Sequence, residues 1–199
     1  EFYDPTFVLA NGSLSRAPLN GYQYPQVITV GLADPRSIIV DGQFECTLHE
    51  VADLEYKFSP EVQELTQESE TFYSRLYNQS LRGVYDLSSA NYANAFFISK
   101  FLEYELLHNK TLLSHLKRED IERARWYADR YMYATNGNVS SSKLGVSNDI
   151  RTIAGRTLAS HVLEAFDTNI QYRGANSKMN LVFGGSEPAV ALASLMQLA

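Results

Sequence analysis

From residue 59 onward the apolar residues return every three or four positions, which commits most of the chain to amphipathic helices. Ser59-Pro60 supplies an N-cap followed by proline at the first helical position. Val62, Leu65, Phe72 and Leu76 then recur at helical spacing, predicting a helix over 60–79. Ser88 or Ser89 caps a second helix, whose broad apolar face carries Phe96, Phe97, Phe101, Leu102 and Leu106. A third helix over 118–134 places Ile121, Ala124, Ala128, Tyr131 and Met132 on one side, with Glu119 and Arg123 spaced as an i,i+4 pair. Asn136-Gly137-Asn138 ends it, because Asn and Gly tolerate the left-handed conformation of a helix C-terminus. Ser147 caps a long fourth helix with a stripe of Ile150, Ile153, Leu158, Val162 and Phe166, and Gly174 and Asn176 close the connection after it.

The flanks have a different pattern. Residues 1–25 are rich in Pro, Gly, Asn and Tyr, without long periodicity, and read as an irregular surface segment. Residues 26–31 alternate and carry β-branched side chains, predicting a strand. Asp34-Pro35 is a turn signal, and Ser37–Val40 is expected as a second short strand closed by Asp41-Gly42. Near the end, Lys178-Met-Asn-Leu-Val-Phe183 is an apolar run that fits a buried strand. Gly184-Gly185 follows, and Ser186 as N-cap, with Glu187 and Pro188, opens a helix to about Leu198. Helix, strand, glycine turn and helix make the unit of an α/β sheet. Three segments result: 1–58 with short strands, a helical 59–140, and 141–199 returning to the sheet.

Composition narrows the function. Of 199 residues, 45% are apolar and 20% charged, which are globular values. A net charge of −6 without a basic cluster argues against nucleic acid, and no apolar run is long enough to span a membrane. The single cysteine, Cys46, excludes an internal disulfide and an all-cysteine zinc site. Four Asn-x-Ser/Thr sites, at Asn11, Asn78, Asn109 and Asn138, fall in segments read as turns or helix ends and point to a secreted glycoprotein carrying N-linked glycans. Glu1-Phe2-Tyr3-Asp4 is not a charged-then-apolar leader, so the chain is expected to be a mature form or to start within a longer protein.

The Gly184-Gly185-Ser186-Glu187-Pro188 turn is the main chemical candidate. Ligands of open α/β sheets bind where a strand ends and the next helix begins, and backbone N–H groups there attract anions. The glycines admit a substrate close to the backbone, so Gly185 and Ser186 are read as substrate-binding, and the Glu187 carboxyl as a proton donor to a leaving oxygen. The helix dipole alone also explains a Glu at this position. The four histidines, His49, His108, His115 and His161, stand in no metal-binding spacing; His108 and His115 read as solvated and His161 as half-buried. No phosphate-loop or dinucleotide glycine pattern occurs, and no cofactor is implied. Thirteen Tyr and ten Phe, scattered over all the helices, read as core packing rather than a sugar groove. Glu103, Glu105, Arg123, Arg125 and Arg130 read as solvated helix faces, with Arg125 a minor candidate for an anion contact.

Ser147-Asn-Asp-Ile-Arg-Thr-Ile-Ala-Gly-Arg-Thr-Leu-Ala159 and Lys178-Met-Asn-Leu-Val-Phe-Gly-Gly-Ser-Glu-Pro188 resemble the C-terminal part of secreted histidine acid phosphatases, most closely a fungal phytase-related group. The segment from Tyr24 to Pro35 and the helices from 60 to 135 also resemble that group. The resemblance implies an α/β three-layer domain with a helical cap, here partly present and helix-rich, hydrolysing phosphomonoesters without a metal through a phosphohistidine. The family's nucleophile motif, Arg-His-Gly-x-Arg-x-Pro, has no counterpart in this chain. Its His-Asp motif falls by position on Ser186-Glu187, which keeps a proton donor and loses a cationic ligand. The chain is therefore expected to be an internal fragment, inactive alone, with the partner of Cys46 outside it. The alternative is a non-catalytic extracellular binding or structural glycoprotein, and a third reading is self-assembly into a homo-oligomer through exposed apolar surface.

Overall fold

The computed structural model describes residues 6–16, 28–31, 33–113, 115–138, 148–175 and 179–198. They are predominantly helical, with one two-stranded sheet among them. Contacts divide the chain into two compact units, Glu1–Thr29 with Glu64–Asp129, and Val30–Gln63 with Arg130–Ala199.

The first unit contains the sheet, in which β1 (Thr6–Val8) pairs antiparallel with β2 (Leu14–Arg16). This hairpin lies within the stretch expected to be irregular. Its turn is built on Asn11, whose Oδ1 accepts from the Ser13 N–H at 2.9 Å, while Leu9 N–H reaches the Ser13 carbonyl. The Ala10 N–H donates to the Leu107 carbonyl, tying the hairpin to a helix end.

Helices α1 (Thr47–Lys57), α2 (Pro60–Leu76), α3 (Ala95–His108), α4 (Lys110–Leu113) and α5 (Arg118–Asn136) follow. The Ser59 hydroxyl accepts from the Val62 N–H at 3.3 Å, the expected cap of α2. The expected stripe of α2 is buried throughout: Val62, Leu65, Phe72 and Leu76. Ile121, Ala124, Ala128 and Met132 of α5 are also buried, with Tyr131 half-buried. On α3 the buried side is Ala95, Ile98, Ser99 and Leu102, and Phe97 faces solvent.

The first unit is packed around aromatic rings. Phe72, Tyr73, Tyr92 and Trp126 all approach Tyr127, with centroids 5.0–5.9 Å apart. The Tyr73 and Tyr127 hydroxyls are buried without a partner. Burial pushes the Tyr73 phenol well above its ordinary range, and the neighbouring Tyr127 adds to this. Asp120 fixes the start of α5 as in a capping box: Oδ2 accepts from the Lys117 N–H at 3.3 Å, and Oδ1 takes the Arg75 guanidinium at 2.6 Å. The expected Glu119–Arg123 pair does not form. Arg118 pairs with Glu122 at 2.7 Å, and the Arg123 guanidinium lies 5.6 Å above the Phe72 ring.

Several sequence expectations fail for identifiable reasons. Of the strand at 26–31, residues 26–27 lie outside the described residues, and 28–31 join no ladder among them. The strand at Ser37–Val40 is replaced by a 3-10 turn, Pro35–Ile39, because Asp34-Pro35 acts as N-cap and first helical residue. Asp34 Oδ1 accepts from the Arg36 N–H at 2.9 Å, and the Arg36 guanidinium holds the carboxyl down to about 2. Helix α1 was not anticipated. Its buried stripe is His49, Ala52 and Tyr56, too polar to register as apolar periodicity.

A 3-10 turn, Asn148–Thr152, leads into α6 (Ile153–Gln171), and α7 (Ser186–Leu195) ends the described fold. Ser147 and Asn176 lie outside the described residues. The expected apolar stripe of α6 packs only in part: Ile150, Ile153, Leu158 and Val162 are half-buried and Phe166 is 61% exposed, while the fully buried residues of α6 are Ala154 and Gly155. The buried strand at 178–183 is also not formed. Residue 178 is outside the described residues; Met179 to Phe183 join no ladder among them, and Phe183 is 82% exposed. A strand buried on both faces needs neighbours on both sides, and the described residues provide none. No described helix is long and apolar enough to cross a membrane.

Helices α6 and α7 meet backbone to backbone. A Cβ at Gly155 would lie 2.5 Å from the Ala191 carbonyl carbon and 2.5 Å from the Leu192 nitrogen. Gly155→Ala is therefore expected to destabilise the protein by about 1–3 kcal/mol. Urea midpoints check this, and an unchanged midpoint would contradict the close approach.

Candidate functional site

The second unit buries a constellation of polar groups in which Arg151 is central. The side chain is 2% exposed. Its guanidinium donates to the Ala134 carbonyl in the last turn of α5, and to the Ala52 carbonyl of α1 at 3.2 Å. Its Cζ lies 5.8 Å from the centroid of the Tyr56 ring, which meets Tyr131 edge-on at 5.7 Å. Around it stand His49 and Asp53, one turn apart on α1, and Asn136 at the end of α5. The Asn136 amide donates to the Thr135 hydroxyl at 2.9 Å, and that hydroxyl donates to the Tyr131 carbonyl at 3.0 Å.

Burial disturbs the charges of this cluster. It pushes the His49 imidazole down; Asp53, the Asn136 side chain and Glu187 oppose this, while Arg151 adds to it. Burial pushes the Asp53 carboxyl up, against the pull of His49, Arg151 and Lys57. Tyr131 is pushed up to about 12, first by burial and then by the charge of Asp53. Within this cluster the buried His49 Nε2, Asn136 Oδ1 and Arg151 Nε have no partner at hydrogen-bond geometry among the described residues.

The residues singled out from sequence are placed as follows. Gly185, not Ser186, is the N-cap of α7, and Ser186 is its first residue. Glu187 lies in the first turn, half-buried, with its carboxylate folded back so that a Cβ at Gly185 would collide with it. Glu187 is within electrostatic reach of His49, so the structure joins it to a histidine that sequence spacing did not connect with it. Gly185 also lines a hollow of about 320 Å³ with Ile39, Val40, Leu158, Val182 and Phe183. Among the described residues that lining carries no cation, and Ser186 is not part of it.

Cys46 is half-buried at the N-cap of α1, with a free thiol. Asn11 and Asn78 are exposed, whereas Asn109 and Asn138 are half-buried. Arg125, the minor anion candidate, is taken by Glu103 at 3.0 Å, and Arg130 pairs with Glu61 at 3.1 Å. Among the described residues no three His, Cys, Asp or Glu side chains are arranged to hold a metal.

What sequence reasoning missed is the His49–Asp53–Arg151 group. The i,i+4 spacing of His49 and Asp53 was the one available signal, and it has meaning only once α1 is known to be a helix. No family model, no curated protein and no solved structure matches this chain.

Two outcomes follow from the cluster. Arg151→Met removes a charged donor from two carbonyls and is expected to lower stability by about 2–3 kcal/mol, measured by urea unfolding. The His49 contribution depends on pH. Its imidazole is depressed in the folded chain, so the unfolded chain binds the proton more readily, and stability falls as pH drops below about 6.5. Asp53 acts in the opposite sense: a raised carboxyl pKa favours folding at low pH, and that gain fades as pH rises above about 4. His49→Gln should flatten the loss between about pH 7 and pH 5. Identical pH profiles for the wild type and His49→Gln over that interval would refute the assignment.

Proposed function

We propose that this chain is the proton-donor portion of a histidine acid phosphatase-like glycoprotein of the secretory pathway, with the three-layer α/β fold of that family in any longer protein that contains it. We further propose that the chain does not turn over phosphomonoesters by itself. One observation supports the first part: Glu187 sits at the first turn of α7, folded over Gly185 and within electrostatic reach of the buried His49. A carboxyl group at a helix N-terminus stands where an anionic substrate would be drawn, and protonating a leaving oxygen is the task of a general acid. Inactivity of the chain alone rests on the missing Arg-His-Gly motif. Covalent catalysis needs its nucleophile within reach of an acid–base partner.

A second reading is favoured by a different observation. The hollow beside Gly185 is lined mainly by apolar side chains, and the Arg151 guanidinium is spent on backbone carbonyls. On that reading the scaffold binds or supports a partner and performs no chemistry.

Kinetics separate the two. The purified chain should show no saturable hydrolysis of p-nitrophenyl phosphate above buffer. In a longer protein carrying the Arg-His-Gly segment, Glu187→Gln should slow release of a poor leaving group by about a hundredfold or more. An unchanged rate there removes Glu187 from the chemistry. Turnover by the 199-residue chain would refute the claim of inactivity.

A further inference from the structure

Helix α2 does not end in an ordinary turn. It widens into a π-helical turn, Tyr77–Leu81, in which the Arg82 N–H reaches back five residues to the Tyr77 carbonyl at 3.0 Å. Such turns are rare and are often found at functional sites. Here the turn opens a cleft of about 300 Å³ against the junction of α3 and α4, within the first unit. That is the lower end of the size range of small-molecule sites.

The lining is polar and of one electrostatic kind. Among the described lining residues Arg82 carries a positive charge, and none is a carboxylate. Arg82 is exposed and enters no ion pair among the described residues, in a chain whose net charge is −6. The nearby Glu105 carboxylate is held by the Asn109 amide at 2.6 Å. The remaining described wall is formed by Asn78, Gln79, Ser80, Asn109, Thr111 and His115; the Asn78 amide donates one of its two hydrogens to the Ser74 carbonyl at 3.0 Å and the Asn109 amide one of its two to Glu105. The Ser80 hydroxyl is shielded from solvent and has no partner within the protein. A guanidinium recognises an oxyanion by charge-assisted hydrogen bonds, and amides with hydroxyls recognise sugar hydroxyls.

We infer that this cleft binds a sugar bearing an oxyanion, a sulfate or phosphate monoester, with Arg82 on the oxyanion and the Asn78 and Asn109 amides on the ring hydroxyls. The site shares no residue with the α7 turn and goes beyond the proposed function. It also gives two of the four Asn-x-Ser/Thr asparagines a role as ligands, which requires that neither carries a glycan.

The test is titration calorimetry on the full chain made without N-glycans. Glucose 6-sulfate and glucose 6-phosphate are expected to bind at millimolar concentration or below. Glucose, inorganic sulfate and inorganic phosphate should each bind about tenfold more weakly or not at all, because each lacks half of the recognised groups. Arg82→Gln should weaken the sugar esters about tenfold, whereas Arg118→Gln, at an arginine outside the cleft that pairs with Glu122, should leave them unchanged. Circular dichroism confirms that both variants fold. Failure of both sugar esters to bind overturns the inference. So does inorganic sulfate binding as tightly as glucose 6-sulfate, or an equal loss in Arg82→Gln and Arg118→Gln.

Discussion

The second unit is organised by a cation that cannot discharge itself. Arginine stays protonated under any condition in which the chain folds, so a buried guanidinium must find acceptors. Arg151 finds them in backbone, at the Ala134 and Ala52 carbonyls. The Ala134 carbonyl is among the last four of α5, groups with no acceptor role inside the helix and at its negative end. One side chain thereby caps α5, grips α1 and positions the start of α6. The Gly155–Ala191 approach then brings α7 against α6, which puts Glu187 within electrostatic reach of His49.

The cluster has a charge pattern in which each member limits the others. Asp53 and Glu187 favour a protonated His49, while burial and Arg151 oppose it. Burial is the largest influence on His49, Asp53 and Arg151 alike, so their departures from ordinary behaviour share one origin. Perturbed groups of this kind gather at functional sites and also in structural networks. Here the orphaned Nε2 of His49 and the placement of Glu187 give the first description its content, and the backbone bonds of Arg151 give the second.

Helices were legible where large side chains did the packing. Val62, Leu65, Phe72 and Leu76 announced α2, and Ile121 with Met132 announced α5. Legibility failed where small or polar residues were buried. Ala52, His49 and Arg151 hold α1 in place without any hydrophobic period, and Ala154 with Gly155 packs α6 while Phe166 points to solvent. Periodicity measures apolar bulk, so a helix packed through glycine, alanine and a buried cation escapes it. The strand expected at 178–183 illustrates the converse. Met179, Leu181 and Phe183 have the composition of a buried strand, but a strand is made by its neighbours, which a single segment cannot specify. Position in the turn singled out Glu187 as a candidate, but its electrostatic reach to His49 was not visible in sequence, because it passes through the tertiary packing of α6 and α7.

The ring contacts of the first unit have an optical consequence. Trp126 is the sole tryptophan; it is 50% exposed and lies 5.0 Å from Tyr127, at the edge of the aromatic cluster. Its emission therefore reports on that unit, while the Arg151 cluster contributes no indole of its own. Fluorescence and far-ultraviolet dichroism weigh the two units differently in this chain. Coincident transitions by the two probes would mark the units as one cooperative body, and separated transitions would mark them as two.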